Sequence, residues 1–188
     1  MMQQKGKDSL DSVYNWQFVH CTHLWTQLLC ESFPSETLEP LIYPLVQVIS
    51  GAIRLVYTPK YYPIRFHLCS QLIKISSDTK KFVPILPYYL DILNKYNFSK
   101  KSSKLSMKPM DFSCCLKVSK SQLVENGFKD ATMEQVYCGI FEYLQSVSHK
   151  ISFPEIVIPL TFQIKTFLKQ CNVANYCKKL KQASRNLS

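Results

Sequence analysis

The stretch Leu38-Glu39-Pro40-Leu41-Ile42-Tyr43-Pro44-Leu45-Val46 decides the fold, and Phe82-Val83-Pro84-Ile85-Leu86-Pro87 repeats its device. In each, a pair of prolines opens a run of apolar residues at helical spacing. Proline suits the first turn of a helix because its missing N–H has no intrahelical acceptor there and its fixed φ matches the helix. A third pair, Pro154 with Pro159, follows the same form. The second proline of each pair sits deeper, where it bends the helix or tightens its first turn.

The first two pairs lie 44 and 43 residues apart. That matches the ~40–47-residue period of armadillo and HEAT repeats. The third pair follows after about 70 residues, one period plus an inserted loop and extended segment. The expected fold is therefore all-α: an armadillo/HEAT-like helical-repeat solenoid with one long basic loop insertion. A plain helical bundle is the alternative.

Outward from the prolines, helical periodicity runs from Ser12 to Glu31, with Tyr14, Phe18, Cys21, Trp25, Leu28 and Leu29 as its apolar stripe. A second helix extends from Leu38 or Glu39 to Val56, with Thr58-Pro59 closing it. A third runs from Tyr61–Pro63 to Ile75, and a fourth from Lys81 to Lys95. Residues 96 to 110 are polar, basic and aperiodic, as an exposed loop should be. Asp111 to Val118 reads as an extended segment lying on the helices. Helices return from Ser121 to His149, perturbed near Gly127, then from Phe153 to Cys171 and from Val173 to Ser184. The expected organisation is residues 12–95 as helical repeats, 96–120 as basic loop and extended segment, and 121–184 as C-terminal helices.

Composition agrees. Only four glycines occur in 188 residues, too few for the tight turns of an all-β fold. The hydrophobic share of 46% excludes a disordered chain. No apolar run approaches the ~20 residues that span a bilayer, so no membrane partner is expected. Eight cysteines occur without a Cys-x-x-Cys spacing, most of them inside apolar helical patterns, which reads as free, mostly buried thiols in a reducing compartment.

Chemistry is sparse. His20, Cys21, His23 and Cys30 come nearest to a metal cluster, but structural zinc needs four converging ligands and no second pair follows. Cys114-Cys115 reads as buried thiols rather than a redox pair. Neither Cys69 beside His67 nor Cys138 near Glu134 is accompanied by a glycine-rich elbow or a partner Asp–His spacing. No catalytic residue, metal, cofactor or small-molecule substrate is indicated.

The charge balance is the live feature. With 23 Lys and Arg against 13 Asp and Glu, the formal charge is +10, which suits an anionic partner. Arginine stands only at Arg54, Arg65 and Arg185, and lysine's point charge suits phosphate backbones rather than forked readout of base edges. Lys100, Lys101, Lys104 and Lys108 in the loop, and Lys178, Lys179 and Lys181 in the tail, are the candidate contacts with nucleic acid or an acidic partner. Solvated loop and helix faces are the plain alternative. Tyr96 and Phe98 beside the loop suit either stacking on bases or packing.

Several strings together resemble the nucleolar complex protein 2 family. They are Asn15-Trp16-Gln17-Phe18-Val19-His20-Cys21 with Leu24-Trp25, Leu41-Ile42-Tyr43-Pro44-Leu45-Val46-Gln47-Val48-Ile49, and Tyr61-Tyr62-Pro63-Ile64-Arg65-Phe66-His67. Phe82-Val83-Pro84 with Leu86-Pro87, Lys108-Pro109-Met110-Asp111-Phe112 and Phe153-Pro154-Glu155 continue the match. Members are typically much longer, so the resemblance covers the C-terminal part of the conserved domain. One departure is Val56-Tyr57-Thr58-Pro59, where the family pattern has proline at the place of Tyr57 and this chain carries Pro59.

The resemblance implies a non-catalytic, armadillo-like scaffold of the nucleus and nucleolus. It implies pairing with nucleolar complex proteins 1 and 3 on precursors of the large (60S) ribosomal subunit, in rRNA processing, with pre-rRNA as a further partner. Two other functions fit the charge: a basic RNA-binding module, or a chromatin-associated interaction protein.

Overall fold

The computed structural model describes residues 10–99, 109–171, 173, 175–178 and 180. These residues are mostly helical with no β-strand among them, as the proline pattern and low glycine content predict. No helix among them is long and apolar enough to cross a membrane. The chain divides into two compact units, Met1–Val83 with Asp111–Leu123, and Pro84–Met110 with Val124–Ser188.

Among the described residues the first unit includes the helices α1, Trp16–Glu31; α2, Ile42–Leu55; and α3, Tyr62–Thr79. Asn15 starts α1, its side chain accepting from the Phe18 N–H at 2.8 Å, one of the donors that a helix start leaves without an intrahelical partner. Short 3₁₀ turns at Glu39–Leu41 and Pro59–Tyr61 lead into α2 and α3. Lys80, in the left-handed region at φ 57°, ends α3.

Both α1 and α2 pack on α3, which is buried on nearly every side. Its sequence explains this, since Ile64, Phe66, Leu68, Leu72, Ile73 and Ile75 surround the helix instead of forming one stripe. The segment Asp111 to Val118 lies along the same helix. Ile64 N–H donates to the Leu116 carbonyl at 3.3 Å, Val118 N–H donates to the Lys60 carbonyl at 2.9 Å, and Phe112 stacks on Phe66 with centroids 5.8 Å apart.

Proline marks α3 as well. Pro59 stands in its leading 3₁₀ turn and Pro63 in its second position, as Pro40 and Pro44 stand before and within α2. Pro59 therefore opens α3 rather than closing α2. The device recurs after 19 residues as well as after 43 or 44, so it marks helix starts and does not by itself measure a repeat.

The second unit holds α4, Leu86–Lys95, α5, Asn126–Val147, and α6, Phe153–Gln170. Pro87 and Pro154 occupy first turns, and Pro159 lies inside α6. Gly127 does not break α5, which runs uninterrupted for 22 residues. Phe98 anchors this unit at 3% exposure, its ring meeting Tyr96, Phe167 and Tyr176 at centroid distances of 4.8, 5.7 and 5.9 Å. Tyr96 in turn meets Phe128 at 5.7 Å. Both aromatics beside the basic loop are thus packing anchors, and the stacking role that the sequence left open does not hold for buried Phe98.

Candidate interaction surface

Helix α2 carries two apolar faces. Ile42, Ile49, Ala52 and Ile53 are buried. Leu41, Pro44, Val48, Gly51 and Leu55 recur at steps of three and four, and all five are exposed, Val48 at 52%. Scattered exposed apolar residues are ordinary on a protein surface. Five in one helical seam are not scattered, since 3-4-3-4 spacing is the pattern by which one helix packs along another. Gly51 sits in the seam's middle, where an added Cβ would meet nothing within 4 Å. Mid-helix glycine costs about 1 kcal/mol against alanine, and here no neighbour among the described residues requires it.

Helix α1 repeats the arrangement. Its buried residues are Val19, Thr22, Thr26, Leu29 and Cys30. The stripe expected from the sequence is therefore rotated: Cys21, Trp25 and Leu28 face solvent together with Leu24, which is 65% exposed. Two threonines in the buried face hid it from a search for apolar periodicity. Thr22 is accommodated because its hydroxyl donates back to the Phe18 and Val19 carbonyls, each at 3.0 Å. In the second unit, Ile158 and Phe162 form a further exposed apolar pair one turn apart on α6.

The charged candidates are placed less fully. Lys178 is exposed in the helical residues 175–178. Lys100, Lys101, Lys104, Lys108, Lys179 and Lys181 lie outside the described residues. Lys95 pairs with Asp91 at 3.1 Å across one turn of α4. Arg65 is not a surface charge: it is 1% exposed, with its guanidinium 5.3 Å from the Tyr57 ring centroid and 6.0 Å from that of Tyr62. Cation–π attraction is strongest when such a pair is desolvated.

The histidines and cysteines do not converge. His20, Cys21 and His23 are exposed on α1 while Cys30 is buried on its other face, and no three metal-ligating side chains cluster among the described residues. None of the eight cysteines is in a disulfide. They are less buried than the apolar patterns suggested: Cys30, Cys69 and Cys171 are enclosed, whereas Cys21 and Cys114 are exposed and Cys115 is half-buried. Desolvation pushes the Cys30 thiol up to about 11 and the Cys69 thiol up to about 12, so both stay protonated at neutral pH.

The family model described as "Noc2p family" matches residues 1–188. The chain is similar to "Nucleolar complex protein 2" of Drosophila melanogaster, 47% identical over 179 residues, covering 95% of this chain and 23% of that protein. It is 30% identical over 181 residues to "Nucleolar complex-associated protein 2" of Arabidopsis thaliana, covering 96% of this chain and 24% of that one. It is 28% identical over 176 residues to "Nucleolar complex protein 2 homolog" of Caenorhabditis elegans, covering 90% and 25%. The chain thus spans about a quarter of the length of these relatives.

Proposed function

The chain belongs to the Noc2p family, and on that premise we propose that it is a non-catalytic scaffold in large ribosomal subunit (60S) biogenesis, working in the nucleolus. Its partners in this proposal are nucleolar complex proteins 1 and 3, met on pre-ribosomes during rRNA processing. The observation that carries it is the solvent-facing seam Pro44, Val48, Gly51 and Leu55 on α2, continued by Leu41 in the 3₁₀ turn before it. Burying one such large side chain contributes about 1.5–3 kcal/mol, so a few of them supply a specific contact. The names of the relatives, each a nucleolar complex protein, support the location and the assembly role.

In the same proposal the helices form an armadillo- or HEAT-like solenoid, a class that uses extended helix faces to bind other proteins. The seam suits a partner helix, for which Gly51 provides close approach.

Co-purification with the partner proteins tests this directly. Gly51→Arg places a long charged side chain into open space within the seam, so the fold is kept while docking is blocked. The expected result is loss of partner capture with a circular dichroism melt no lower than that of the unsubstituted chain, since arginine also gains helix propensity over glycine. Full capture by Gly51→Arg removes the seam as the docking surface.

A further inference from the structure

Helix α6 buries Val157, Leu160, Ile164 and Phe167. On its opposite side Glu155, Ile158, Phe162, Lys165 and Lys169 follow at steps of three and four, and all five are exposed. Ile158 is 70% and Phe162 71% exposed, so nothing among the described residues covers the apolar pair. Glu155, Lys165 and Lys169 enter no ion pair among the described residues. Glu155 in the first turn and Lys169 in the last suit the helix dipole where they stand. Lys165 lies before the last turn, beyond the reach of that effect.

From Glu155 to Lys165 the order along this face is acid, apolar, apolar, base, at steps of three, four and three. Those steps read the same in both directions. Turned end for end, the face therefore meets its own complement, as a two-fold interface requires. With the axis between Ile158 and Phe162, Ile158 of each copy lies opposite Phe162 of the other. Glu155 of each then lies opposite Lys165 of the other. A parallel copy would instead set Glu155 against Glu155 and Lys165 against Lys165. A polyanion would meet the two lysines but be repelled at Glu155. Steps of three and four are also those by which two helices pack along each other.

We propose that the α6 face formed by Glu155, Ile158, Phe162 and Lys165 is a self-association surface, occupied by the same face of a second, antiparallel copy of this chain. Two layers of Ile158 against Phe162 form its centre, and two carboxylate–ammonium pairs close its ends. Exposed charge pairs add little affinity; here they set orientation and partner. Standard interfaces take about 20–30 residues from each side, so one helix face gives a reversible, concentration-dependent dimer. The charge of +10 on each copy opposes association, and physiological salt, with a Debye length of about 8 Å, screens it. This is independent of the scaffold proposal, since the α2 seam and the α6 face are altered by separate substitutions.

Sedimentation equilibrium of the whole chain, carried to about 1 mM protein, tests it. The mass is expected to rise with concentration from 21.9 kDa toward twice that value. Phe162→Ala should weaken the dimer by about 10-fold or more through lost burial. Glu155→Lys and Lys165→Glu should each weaken it by about 10-fold, because two attractive pairs become two repulsive ones. All three variants should keep the circular dichroism spectrum of the unsubstituted chain. Mixing Glu155→Lys with Lys165→Glu one to one should recover the dimer, since each reversal supplies the charge that the other lacks. Three results overturn the proposal: a monomer at every concentration; a dimer indifferent to Phe162→Ala; or a mixture that associates no better than either variant alone. Phe162-dependent capture of an acidic protein or an RNA by a chain that stays monomeric would also overturn it, and would give the face to that partner.

Discussion

The ring of Tyr89 on α4 lies directly over Gly139 on α5, so close that a Cβ on residue 139 would stand 2.7 Å from Tyr89 Cε1. Glycine here serves close packing of the two helices and not backbone conformation, since no described glycine has positive φ. Gly139→Ala gains about 1 kcal/mol of helix propensity, but overpacking of a filled core costs about 1–3 kcal/mol. Steric conflict should win. The expected outcome is a lower midpoint in urea, and a midpoint equal to or above that of the unsubstituted protein would show that the helices separate without cost.

Gly51 predicts the reverse. Its Cβ direction is open, so Gly51→Ala collects the helix-propensity gain of about 1 kcal/mol without a clash. Thermal melting of the two alanine variants side by side should therefore move in opposite directions.

Phe98 tests the core of the second unit. It touches Tyr96, Phe167 and Tyr176 and is almost fully enclosed. Phe98→Ala should cost about 3–5 kcal/mol through lost burial and the cavity left behind. Chemical denaturation measures it. A loss below 1 kcal/mol would indicate that the basic loop's neighbour is not anchored in this core.

Alkaline pH provides a further check. Burial raises the thiols of Cys30 to about 11 and Cys69 to about 12, from an ordinary value of 9.0. The unfolded chain releases these protons first, so the folded state binds more of them above pH 9 and stability must fall. The contribution is complete below about pH 9 and is lost progressively as the pH climbs through 11 and 12, with a slope of about 1.4 kcal/mol per pH unit for each thiol. Denaturation midpoints at pH 8 and pH 10.5 should differ less in Cys69→Ala than in the unsubstituted chain. Maleimide labelling at neutral pH should reach Cys21 and Cys114 well before Cys30 or Cys69.

Much of the fold was legible because the prolines and the apolar spacing act locally. Pro44, Pro63, Pro87 and Pro154 each fall in the opening turn of the helix they announce. The partner-facing surface was harder to find. Val48 belongs to an apolar helix by any periodicity count, yet it faces solvent while Ile49 beside it is wholly buried. On α1, Thr22 and Thr26 took the core positions that Cys21 and Trp25 were expected to hold. Arg65 counted in the chain's basic excess, and the structure buries it among aromatic rings.

By itself, the sequence determined that this chain is helical, where most of its helices begin, and which family its strings resemble. Those properties depend on backbone donors, fixed φ angles and residue order within a turn or two. Only the tertiary structure decided which apolar face of α1 and α2 is core and which is surface. The physical reason is that two apolar stripes on one helix have the same period. They become different only when a neighbour, here α3, covers one and leaves the other to solvent.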